Sequence, residues 1–129
     1  MRNLIHWLLA ILVGFAWAPA SAQLRDEDPD WMENEVPPAP EFDRKRLIRY
    51  EVPVGRDMEF GVDPTTITIG KDGVIRYVVV ASSQSGSVNA MFEAVRCTTG
   101  QFKTYARRTA DSAWSQVSHP RLRRSLFHN

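Results

Sequence analysis

The stretch VDPTTITIGKDGVIRYVVVASSQSG, Val62 to Gly86, decides how this chain folds. TTITI alternates β-branched residues and sets Ile67 and Ile69 on one face of a strand. GKDG then places Gly70 and Gly73 around Lys71 and Asp72, a turn composition that tolerates positive φ. VIRYVVVA is apolar at nearly every position, which predicts a central strand covered on both faces. Only Arg76 interrupts it, pointing with Val74, Val78 and Val80. SSQSGS closes the stretch as a second polar turn.

Toward the C-terminus, VNAMFEAVRC puts Val88, Ala90, Phe92, Ala94 and Arg96 on one face. Asn89, Met91, Glu93, Val95 and Cys97 share the other. FKTYARR alternates Phe102, Thr104 and Ala106 against Lys103 and Tyr105. Trp114 belongs to a last strand or plugs the sheet, and HPRLRRSLFHN spaces Leu122, Leu126 and Phe127 as a short C-terminal helix or tail. Toward the N-terminus, LIRYEVPVG alternates Ile48, Tyr50, Val52 and Val54, and Pro53 marks an edge or a strand end. GRDMEFGVDP reads as a connection. Strands this close together predict one small, mainly β domain over residues 46–129, an antiparallel meander, with α+β as the alternative.

What precedes the domain reads differently. MRNLIHWLLAILVGFAWAPASAQ has a basic Arg2, an apolar run from Leu4 to Trp17, and small residues at Ala20 and Ala22. Residues 1–22 are therefore expected to be a signal peptide cleaved after Ala22. An uncleaved anchor is the rival, but the run is shorter than the roughly 20 residues a membrane span needs. Residues 23–45 hold acids and prolines with few aliphatics, which predicts a flexible or loosely attached leader. Trp31 is its one residue suited to docking on the domain, and a binding motif is the functional alternative.

Cleavage removes Arg2, one of 16 basic residues, and none of the 15 acidic ones, so the remaining formal charge is near zero. That argues against nucleic acid or an anionic membrane as the main partner. The acidic Gln23–Asp43 segment and the basic Lys103–Arg124 segment are expected to neutralise each other. Cys97 is the only cysteine, which leaves it buried and inert, paired with another chain, or lacking a partner. No Cys/His set has ligand spacing, so neither a metal nor another cofactor is expected.

Arg76, Glu93 and Arg96 are charges inside apolar strands, and they form the candidate ligand or structural cluster. A hairpin through SSQSGS can set Glu93 opposite or diagonal to Arg76, because a buried charge requires a partner. A structural ion pair is the blander reading; an arginine-lined pocket for a carboxylate or phosphate is the functional one. No catalytic residue emerges: the serines of SSQSGS lie in a turn, His119 precedes Pro120 in a loop, and nothing resembles a triad. GKDG lacks the length and ending of a phosphate loop.

The run DGVIRY, SGSVNAMFEAVRC, the YA pair at Tyr105–Ala106 and the later Trp114 resemble the CNP1-like family of small exported bacterial proteins. The likeness extends from about Leu47 to Trp114. It implies a single exported domain, brings no established reaction, and places weight on Asp72, Gly73, Arg76, Tyr77, Glu93, Arg96, Cys97, Tyr105, Ala106 and Trp114. Family members tend to finish near a second cysteine, which this sequence lacks; the family pattern therefore implies either a shortened copy or an unpaired Cys97. The expected protein is thus an exported, periplasmic or outer-envelope domain that binds or supports an envelope component without catalysis. No membrane span is expected after cleavage. A small envelope hydrolase using Glu93 with Arg76 and Arg96 is the alternative.

Overall fold

The computed structural model describes residues 28–52 and 57–124. Residues 1–22, expected to be a signal peptide, and Pro53, Val54, Leu126 and Phe127 lie outside them. The described chain is mainly β, with eight antiparallel strands in one sheet. These are β1 (Ile48–Tyr50), β2 (Met58–Val62), β3 (Thr68–Ile69), β4 (Val74–Ser83), β5 (Val88–Arg96), β6 (Gln101–Thr109), β7 (Ser115–Gln116) and β8 (Arg123–Arg124).

The sheet runs β1-β2-β4-β5-β6-β7, with β3 beside the start of β4 and β8 beside the start of β6. The apolar VIRYVVVA run is the centre, as its composition predicts. It pairs with β2 and β3 along one edge and with β5 along the other. β1 lies at the sheet edge, where a following proline is tolerated.

Several local expectations change. The supposed connection before Val62 contains β2, paired with β4 from Met58↔Ser83 to Val62↔Val79. Gly61 permits this: a Cβ there would come 3.0 Å from the Leu47 Cβ. Of TTITI, only Thr68–Ile69 is strand, because Pro64–Thr66 forms a 3-10 helix. Asp63 caps that helix by accepting from the Thr65 amide, and Pro64 presets its first turn. The segment after Pro120, read as a short helix or tail, carries β8 at Arg123–Arg124.

β6 also departs from simple alternation. Glu93 pairs with Thr104, but Phe92 pairs with Ala106, so Tyr105 is an extra residue in a β-bulge. Tyr105 and Ala106 are consequently both buried on the same side.

The core lies on one face of the sheet, where Val74, Val78, Val80, Phe92, Ala94, Tyr105 and Ala106 are buried. Its cover is the segment expected to hang loose. Residues 28–47 cross this face as a strap, and Trp31, Val36, Ala39, Phe42 and Leu47 pack against the core. The strap is too poor in apolar residues to build a core of its own; it completes one that the sheet supplies.

Candidate functional site

Two buried aspartates fasten the strap. In the GKDG turn, Asp72 Oδ2 accepts from the Asn34 amide at 2.9 Å and from Arg76 Nη2 at 2.9 Å, while Oδ1 accepts from the Val74 amide at 3.1 Å. Trp31 Nε1 donates to the Asp72 carbonyl at 2.8 Å. The turn must be tight: a Cβ at Gly70 would lie 2.2 Å from Asp72 Oδ1, and Gly73 has φ 76°. At the strap's other end, Asp63 Oδ2 accepts from the Asp43 amide at 2.8 Å and from Arg46 Nη2 at 2.9 Å.

Between these staples, Glu33 enters the sheet's polar centre. It accepts from Arg76 Nη2 at 3.2 Å, from the Lys103 ammonium and from the Tyr105 hydroxyl. Arg96 stacks its guanidinium 3.9 Å from the Trp31 ring centroid. Farther along, Arg108 pairs with Glu41 at 3.1 Å and lies over the rings of Phe42 and Trp114. The acidic leader and basic β6 therefore do neutralise each other, through Glu33–Lys103 and Glu41–Arg108.

Electrostatics follow from these contacts. Burial alone raises a carboxyl pKa, yet hydrogen bonds and neighbouring cations outweigh it at Glu33, Asp63 and Asp72, whose pKa values fall below the ordinary carboxylate range. Burial, followed by the Glu33 carboxylate, pushes the Tyr105 hydroxyl up. All three carboxylates stay charged at neutral pH.

The expected pairing of Arg76 with Glu93 does not form. Arg76 lies opposite Ala94, whereas Glu93 lies opposite Tyr77, one residue away in register. A one-residue offset means the opposite face of the sheet. Arg76 and Arg96 are therefore under the strap, and Glu93 is on the far side. Arg76 takes Asp72 and Glu33 as its partners.

That far face carries Ile48, Tyr50, Phe60, Val62, Ile75 and Tyr77, and the strap residues that pack on the core lie on the other side. Ile69 is 78% exposed, Ile48 62%, Ile67 45% and Tyr50 42%. A shallow apolar groove of about 300 Å³ runs between Ile48, Tyr50, Val62, Ile67, Ile75 and Tyr77. Glu93 borders this region, with Thr104 as its one hydrogen-bond donor at 3.2 Å and the Arg107 charge nearby. Burial dominates and raises its pKa. Burial and the Glu93 charge also raise Tyr50, and push Tyr77 to about 12. Cys97 is exposed at the end of β5.

Comparison with protein families matches the model of the CNP1-like family over residues 26–125. The chain belongs to the CNP1-like family. The match begins before the strap's described start, so the family unit includes the strap as well as the sheet. No curated protein and no solved structure matches this CNP1-like chain.

Of the positions weighted by the resemblance, Asp72, Gly73, Arg76, Arg96, Tyr105, Ala106 and Trp114 belong to the turn and core beneath the strap. Tyr77 and Glu93 belong to the open face, with Cys97 at its end. Glu33 escaped the sequence reading, Lys103 entered it only as part of the basic segment, and Asp63 was not read as a fastener of the strap. Asp63 had a signal, since Asp-Pro-Thr is a helix-start pattern. Glu33 had none, being 43 residues from Arg76 and 72 from Tyr105. Among the described residues, no group of three or more His, Cys, Asp or Glu could hold a metal, and no helix is long and apolar enough to cross a membrane.

Proposed function

We propose that this CNP1-like chain is an exported, non-catalytic binding or structural domain of the cell envelope, working through the open face of its sheet. The observation that carries this reading is the contrast in cover between the two faces. Beneath the strap, Arg76, Lys103 and Tyr105 are engaged by Asp72 and Glu33 of the same chain. On the open face, Ile48, Tyr50, Ile67 and Ile69 remain in water. Contiguous apolar exposure of this kind marks interaction surfaces.

The hydrolase alternative loses its residues, because the sheet separates Glu93 from both arginines. The test is fractionation of cells expressing the full chain, followed by retention on envelope material. The wild type is expected in the envelope fraction, and an Ile48→Asp/Ile69→Asp variant is expected to lose retention while keeping its circular dichroism. A cytosolic wild type, or equal retention by the variant, overturns the proposal.

A further inference from the structure

We infer that the partner covering the open face is a second copy of this chain, with the two faces packed about a two-fold axis. This rests on the reading of that face as the working surface and names its occupant, the dimer being the form that the envelope retains.

The first argument is area. With about 200 Å² for a fully exposed large side chain, the exposed fractions of Ile48, Tyr50, Ile67 and Ile69 amount to on the order of 450 Å². Ile75 and Tyr77, half-buried between them, extend the patch toward the roughly 800 Å² per partner of a standard interface.

The second argument is charge. The apolar residues occupy the β1–β4 side, while an acid, Glu93, and a base, Arg107, stand close together on β5 and β6. Arg107 acts on Glu93 by charge, yet no ion pair joins them. A face bearing both signs is complementary to its own two-fold image: Glu93 of each copy meets Arg107 of the other, and the apolar halves stack. A lipid surface fits less well, since it offers nothing to a half-buried carboxylate and prefers basic faces.

The third argument is architecture. The strap packs on one sheet face and the apolar groove lies on the other, so two copies joined through their grooves make a sandwich with sheets about 10 Å apart.

Sedimentation equilibrium of the full chain under reductant, which removes any Cys97 disulfide, tests this. A dimer that dissociates on dilution is expected, and Ile69→Asp is expected to weaken it at least about tenfold. Glu93→Lys and Arg107→Glu are each expected to weaken self-association, and mixing the two variants to restore it. Only pairing across copies produces that rescue by mixing.

A wild type that stays monomeric, a dimer indifferent to Ile69→Asp, or no rescue on mixing overturns the second-copy assignment. So does monomeric protein that binds phosphatidylethanolamine/phosphatidylglycerol vesicles through Ile69. A monomer whose envelope retention still depends on Ile69 refutes the second copy alone. A monomer whose retention ignores Ile69 refutes the working surface as well.

Discussion

Phe92 and Ile69 belong to opposite faces of one sheet, and their surroundings differ in kind. Phe92 is 2% exposed and meets Tyr105 at 5.2 Å between ring centroids, under a strap fastened by Asp63 and Asp72. Ile69, on a two-residue strand, is among the most exposed large apolar residues described. A strap rich in acids and prolines suits the first face because that face offers Arg76, Lys103 and Arg108 to receive acids. The open face has a carboxylate of its own at Glu93, with Arg107 nearby. The comparison teaches that covering a sheet depends on where its charges point as much as on how apolar it is.

The comparison breaks most visibly if the strapped face tolerates what it should not. Phe92→Ala is expected to cost about 3–5 kcal/mol through cavity formation. Asp72→Ala is expected to cost somewhat less, about 2–4 kcal/mol, because it leaves Arg76 with Glu33 as its single carboxylate partner and unties the Asn34 and Val74 amides. Urea unfolding followed by tryptophan fluorescence measures both, and hydrogen exchange at the Asn34 amide should accelerate in the second.

A smaller loss, about 1–3 kcal/mol, is expected for Glu33→Gln, which keeps the shape and removes the charge from three donors. Its pH signature has a definite sign. The folded pKa of Glu33 is depressed, so its contribution is present above the unfolded value and lost as pH falls through the folded one. Urea midpoints should therefore decline below about pH 4 less steeply in Glu33→Gln than in wild type. Equal slopes would remove Glu33 from the strap's fastening.

Glu93 should behave in the reverse sense. Its folded pKa is raised, so its contribution is fully present below the unfolded value and lost as pH rises through the folded one. Glu93→Gln is expected to raise the Tm by a few degrees at pH 7, with the gain vanishing below about pH 4. Thermal scans at both pH values, in protein dilute enough to be monomeric, check this. The smallest effect is expected for Ile69→Asp, within about 0.5 kcal/mol of wild-type monomer stability. A large loss there would mean that the open face is already buried within the monomer.

Much of the sheet was legible because alternation is a local property. β4, β5 and the start of β6 follow from which residues are β-branched, apolar or polar. The errors have equally physical sources. Asp-Pro at 63–64 captured the following threonines into a capped turn, so β-branching alone misplaced the start of β3. Gly61, inside the supposed connection, is a strand residue that lets Leu47 approach closely. The Arg76–Glu93 pairing failed by a single residue of register, which is set by turn geometry as well as composition. The strap was least legible of all, since its anchors lie tens of residues away and its composition resembles that of segments that stay unfolded.

One consequence of the β6 bulge concerns deletion. Thr104 pairs with Glu93 and Ala106 with Phe92, neighbouring positions on β5, so the ladder would be continuous with Tyr105 excised. Losing that single codon would leave every other β6 side chain facing as it does now, and would remove the hydroxyl that grips Glu33, the ring against Phe92 and the carbonyl that accepts from the Val117 amide. The clamp is an addition to the strand's frame, separable from the sheet that carries it.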